Sequence, residues 1–228
     1  MTETNKTDEH DSQSLPYHRL WQPTTARWLV VIFGLALAYA VVRYHIASGV
    51  AWSHFPLFIM NKTVALAGTS LVACSYLIGK VIHRYDNDPR RKLVVIKFCG
   101  LIGFSLATVH GIASLCLITP AYFAKYFTED GRLNFEGELG LILGIIALWA
   151  LSIPAITTLP MMPKAIGGMR WKRSQHIGYV CLCLVFLHLV TLGLRGWLSP
   201  EHWPWMLPPI SLIAAIIAIT PLFVKFMK

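Results

Sequence analysis

Six stretches of this chain are strongly apolar and almost free of charge: 28–42, 63–79, 98–124, 139–163, 174–194 and 202–224. A helix needs about 20 apolar residues to cross roughly 30 Å of hydrocarbon. Each stretch is close to that, the first if it runs on to about Ala47. Lipid offers no water to backbone N–H and C=O groups, so only helices or closed barrels span it. None of the stretches alternates with period two, which leaves helices. Only 14% of the residues are charged, against about 25% in an ordinary soluble domain, so the chain lacks the polar surface that water would demand. The predicted fold class is an all-α integral membrane protein, a six-helix transmembrane bundle. The same composition excludes a disordered chain, a collagen-like fibre and a disulfide-stapled secreted miniprotein.

The basic residues orient the bundle. With the N-terminus inside, the cytoplasmic segments hold Lys6, Arg19, Arg27, Lys80, Arg84, Arg90, Arg91, Lys92 and Lys97, then Lys164, Arg170, Lys172, Arg173, Lys225 and Lys228. The opposite side keeps only Arg43, Lys62, Lys125, Arg132 and Arg195. That asymmetry follows the positive-inside rule and predicts both termini cytoplasmic, in a multi-pass protein of the cell inner (plasma) membrane. The net charge of +9 therefore belongs to the membrane surface, and no nucleic-acid partner is expected. Residues 1–26 are polar and read as a disordered tail, leaving 27–228 as one six-span domain. The LALAYA segment offers an A-x-A pattern for signal cleavage. Cleavage there would leave five spans and disturb the charge pattern, so the stretch reads as a retained helix. The loop 120–138, with Tyr122, Phe123, Tyr126 and Phe127, is expected to lie along the interface.

Several chemistries are disfavoured. No Asp or Glu occurs between Asp11 and Asp86 or between Glu138 and Glu201, so the spans lack the intramembrane acids that proton-coupled transporters use as relays. The cysteines Cys74, Cys99, Cys116, Cys181 and Cys183 form no C-x-x-C and no C-x-x-C-H, which argues against a zinc knuckle or covalent haem. Neither a G-x-G-x-x-G turn nor a phosphate loop is present.

Histidine remains. His10 and His18 fall in the tail, His54 and His202 in outer loops, His83 in an inner loop, and His45 near the outer end of span one. His110 and His188 lie deep in apolar runs, where an ionisable residue marks a functional site by default. His110 is thirteen residues past Lys97 and His188 fifteen past Arg173. At 1.5 Å per residue their heights differ by only about 3 Å. Two imidazoles at one level on two helices are what a six-coordinate haem requires; two hydrogen-bonded packing histidines are the alternative. A zinc site would need further ligands at that level. His176, at the inner end of span five, could serve a second haem. However, it is twelve residues from His188, roughly 120° off the same face, and opposite it helix three offers only Ile96 and Lys97.

The stretches RRKLVVIKFCGLIGFSLATVH and RWKRSQHIGYVCLCLVFLH, with an echo in NKTVALAGTSLVACSYLIGK, resemble the ferric-reductase-like transmembrane domain family. Within that family the resemblance is closest to the haem-binding membrane subunit of the periplasmic methionine sulfoxide reductase system. It covers about residues 30–224. It implies a b-type cytochrome that carries electrons across the membrane, with iron ligands at His110, His188 and His176. Two-haem members carry a histidine where Ile96 or Lys97 stands here, and a spacing nearer thirteen than twelve on helix five. One haem b held by His110 and His188 is therefore expected, with a weaker second site at His176, and FMN or quinone as further redox cofactors. No flavin domain follows span six, so a separate donor is expected, a quinol or a flavin reductase. The acceptor would be an external redox partner protein such as a methionine sulfoxide reductase, or else a ferric or cupric ion. A small transporter or assembly factor without haem is the contrasting class. Arg43 and Arg195 lie at the outer height where haem propionates would emerge. Both are candidate propionate partners, with interfacial snorkelling as the alternative.

Overall fold

The computed structural model describes residues 23–81 and 89–227. The expected tail therefore lies outside the described residues up to position 22, as do His10, His18, His83 and Arg84. Six long helices follow one another: α1 (Pro23–Ala40), α2 (Met60–Val81), α3 (Pro89–Leu117), α4 (Phe135–Thr157), α5 (Gly168–Trp197) and α6 (Ile210–Phe226). Each belongs to a segment long and apolar enough to span a bilayer. Large apolar side chains stand exposed around the bundle, among them Leu35, Ile112, Trp149 and Ile216. Water would not tolerate that much apolar surface, but lipid does. The chain is an all-α, six-span membrane protein. Among the described residues, the sole β feature is an isolated bridge between Phe127 and Leu133.

Successive spans alternate in direction. The start of α1, the α2–α3 and α4–α5 connections and the end of α6 therefore share one end, here the near end; the other connections form the far end. The helix α2 is central: 56% of its apolar window is buried, against 17–28% in the other five spans. It packs on α1, α3 and α6, while α4 and α5 form a second close pair. Small residues permit these approaches. A Cβ at Gly103 would meet Val72 Cγ2 at 2.8 Å, and one at Gly68 would meet the α3 backbone at 3.3 Å.

Helix ends depart from the hydropathy boundaries for identifiable reasons. Span three was expected to reach residue 124, but α3 stops at Leu117, because Thr119 turns extended ahead of Pro120. Span four was expected over 139–163, whereas α4 begins at Phe135. There the Asn134 side chain accepts from Gly137 N at 2.9 Å, and Glu136 and Glu138 in the first turn favour the helix dipole. It ends at Thr157, ahead of Pro160 and Pro163. Thirty residues in α5 extend about 45 Å, so its first turns, with Arg170, Lys172 and Arg173, outreach the hydrocarbon. Beyond α1 the chain continues through a π-helical turn, Val41–Ile46, which carries Arg43.

Candidate functional site

The helices α3 and α5 run in the same direction and carry His110 and His188. A void of about 30 Å³ is lined by Ala107 of α3 and Val185 of α5, together with Gly68, Val72, Leu151 and Cys181. Each of those two residues is one turn nearer the near end than its helix's histidine. The two imidazoles are thus level, and they are close enough to interact electrostatically.

Both rings are held in the same way. His188 Nδ1 lies 2.7 Å from the carbonyl oxygen of Gly140 on α4. A carbonyl only accepts, so Nδ1 carries the proton and Nε2 keeps its lone pair. His110 Nδ1 lies 2.8 Å from Asn61 Oδ1 on α2. The Asn61 amide in turn donates to Ser114 Oγ at 3.0 Å, which orients its oxygen toward the ring. Asn61 is only 7% exposed, so this partner is fixed in the packing. Among the described residues neither Nε2 has a partner. The room for the His188 ring comes from glycine: a Cβ on Gly144 would sit 3.1 Å from its Cε1 and Nδ1. Gly140 and Gly144, four apart on α4, provide the acceptor and the space.

The arrangement can bind a metal through two neutral nitrogens on opposing helices. No cluster of three or more His, Cys, Asp or Glu suited to a metal ion occurs among the described residues, which disfavours a four-ligand zinc site. The donor set suits an ion whose other ligands come from a macrocycle, and a donated Nδ1–H is the second-shell support that ligating imidazoles usually have. By their donor chemistry, two neutral imidazoles with free Nε2 atoms, the residues suit a haem.

The other expected site residues are placed elsewhere. His176 is exposed and stacks on Tyr179 with ring centroids 6.4 Å apart. It lines a near-end cavity of about 340 Å³ together with Lys97, Trp171, Gln175 and Tyr179, and Ile96 faces the same space. Trp171 Nε1 is buried there without a hydrogen-bond partner. Arg43 is 7% exposed and donates to the Pro208 carbonyl at 2.8 Å and to Ser48 Oγ at 3.4 Å, tying the π-turn to the segment before α6. Arg195 is largely exposed and pairs with Glu136 at 2.5 Å. Each arginine thus has a protein partner toward the far end. Asn61, Ser114 and Gly144 were not anticipated. Ser114 stands one turn beyond His110, and the Gly140–Gly144 spacing is a small-residue packing motif, so both signals were present in the sequence.

No family model matches the chain. It is 26% identical over 188 residues to the metalloreductase STEAP2 of Mus musculus, covering 71% of this chain and 38% of that protein. The human metalloreductase STEAP2 gives the same figures. The metalloreductase STEAP3 of Rattus norvegicus is 25% identical over 180 residues, covering 68% and 37%. The chain therefore spans less than two-fifths of the length of these relatives. Its similarity is to part of a metalloreductase, and in this chain that part is a multi-pass helical membrane domain.

The hydrogen-bond pattern has a direct spectroscopic signature. In 15N NMR of the cofactor-free protein, His110 and His188 should both read as neutral rings protonated at Nδ1. Asn61→Leu should disturb the His110 signals alone. An Nε2-protonated His110 in the unsubstituted protein would contradict the arrangement.

Proposed function

We propose that this domain carries electrons through the membrane to a ferric or cupric ion at the far side, using one haem b ligated by His110 and His188. The observation that carries this reading is the pair of level imidazoles, each with its Nδ1 proton committed to a neighbouring helix and its Nε2 free. The relatives' names favour a metal ion as acceptor over an external redox partner protein such as a methionine sulfoxide reductase. Haem bound there would supply a one-electron relay within the low-dielectric bundle. Filling both axial positions disfavours oxygen binding and suits electron transfer. The protein's part is to fix both rings, through Asn61 on one side and Gly140 on the other, and to exclude water with Val72, Leu151 and Leu182 beneath them.

Electrons would enter at the near end. The cavity beside His176 has a volume within the range of small-molecule sites. It offers the faces of Trp171 and Tyr179 and the unpartnered Trp171 N–H to a planar carbonyl-bearing ring, so FMN or a quinone suits it. The donor would be a separate flavin reductase or quinol. His176 is then a cavity residue, and a second haem lacks a ligand on α3, where Ile96 and Lys97 stand. The near end would face the cytoplasm in the cell inner membrane, since it gathers most of the Lys and Arg residues.

Reconstitution tests the reading. In proteoliposomes enclosing dithionite and FMN, the protein should accelerate reduction of an external ferric chelate. His110→Ala or His188→Ala should abolish bound haem and return the rate to that of empty vesicles, while His176→Ala should retain the haem. Unsubstituted protein no faster than empty vesicles would refute the function. Reporter fusions at Asp130 and Gly168 should read outside and cytoplasmic respectively; the reverse would refute the orientation.

A further inference from the structure

Lys62 has an unusual environment for a cation in a membrane span. It is the third residue of α2, directly after the Asn61 that holds His110, and its side chain is half-buried. Its ammonium lies 4.5 Å from the Phe58 ring centroid, 4.7 Å from Tyr44 and 5.9 Å from Phe123. Three rings around one ammonium form a cage that partly offsets lost hydration through cation–π attraction. The cage offers ring faces, however, and its one hydroxyl, on Tyr44, accepts from Ile210 N at 3.3 Å. Among the described residues, no hydrogen-bond acceptor and no carboxylate lies within bonding reach of Lys62 Nζ.

The surroundings are also positively charged. Lys62 is within electrostatic reach of the His110 ring and of Lys125 in the far-end loop. Burial, then the nearby Lys62, holds the Lys125 ammonium below its ordinary range, with Glu136 opposing and Arg195 adding to the effect. Glu136, the acid named there, is already paired with Arg195. The guanidinium of Arg43 is engaged with Pro208 and Ser48. The region beside His110 is therefore short of negative charge, and the half-buried Lys62 ammonium keeps its N–H donors free for an anionic group.

We infer that Lys62 holds a carboxylate side arm of the haem, the cage of Tyr44, Phe58 and Phe123 fixing its ammonium beside the His110 ring. A haem carries two such carboxylates, and they need cations where they leave the bundle core. One short helical segment would thus serve the cofactor twice: Asn61 orients an axial ligand and Lys62 binds the periphery. The inference rests on the haem reading above and assigns to Lys62 the role that the sequence suggested for Arg43 and Arg195.

A cycle between residue and ligand tests it. The full chain, in lipid nanodiscs, is loaded with haem b or with its dimethyl ester, whose side arms are uncharged. Haem release to excess apomyoglobin is then timed. A charge-assisted hydrogen bond in a partly buried site corresponds to about ten-fold or more in retention. Lys62→Gln should therefore release haem b on the order of ten-fold faster, yet release the ester no faster than the unsubstituted protein does. Lys62→Arg should restore much of the haem b retention. An unchanged low-spin spectrum in Lys62→Gln would show that both axial ligands stay in place. Equal acceleration for both ligands, or none for either, overturns the inference and leaves the haem reading standing. Folded unsubstituted protein that takes up no haem overturns both.

Discussion

Each of the two deep imidazoles commits its Nδ1 proton to an oxygen on a neighbouring helix, and the site depends on that commitment. A histidine alone in lipid is costly and free to rotate; one that donates to a fixed carbonyl is neither. Asn61 fixes His110 from α2, and Gly140 fixes His188 from α4. Four helices thus converge on one level of the bundle. The glycines follow from the same requirement. Gly144 clears the His188 ring, and Gly68 and Gly103 bring α2 close enough to α3 for a short amide to reach His110.

The two ends of the bundle differ in chemistry. At the near end a cavity lined by aromatic and amide side chains, with a spare indole N–H, suits a planar redox ligand. At the far end stand a caged lysine, an arginine bound to a carbonyl and an arginine bound to Glu136. Electrons entering beside Trp171 and leaving past His110 would cross most of the membrane without meeting an acidic side chain.

The sequence showed the spans clearly because charge is expensive in hydrocarbon, and it showed His110 and His188 for the same reason. Counting from Lys97 and Arg173 placed them at one height, and the shared void beside Ala107 and Val185 agrees. Helix ends were less legible. Hydropathy does not register that Thr119 turns extended before Pro120, or that Asn134 caps a helix four residues ahead of its apolar run. Lys62 counted in the sequence only as one of the outer charges, because hydropathy cannot show that Tyr44, Phe58 and Phe123 surround it. Asn61 went unnoticed because its role depends on the close α2–α3 packing. Arg43 stood out as a lone charge in span one, but its partner Pro208 is 165 positions away in sequence and only the fold brings them together.

The central claim is that His110 and His188 bind one iron between them. The optical and electron paramagnetic resonance spectra of purified protein, oxidised and then reduced with dithionite, test it most directly. The account predicts a single low-spin ferric species with two imidazole ligands, and sharp α and β bands of a b-type haem on reduction. A high-spin signal, or a featureless spectrum from fully folded protein, would contradict it.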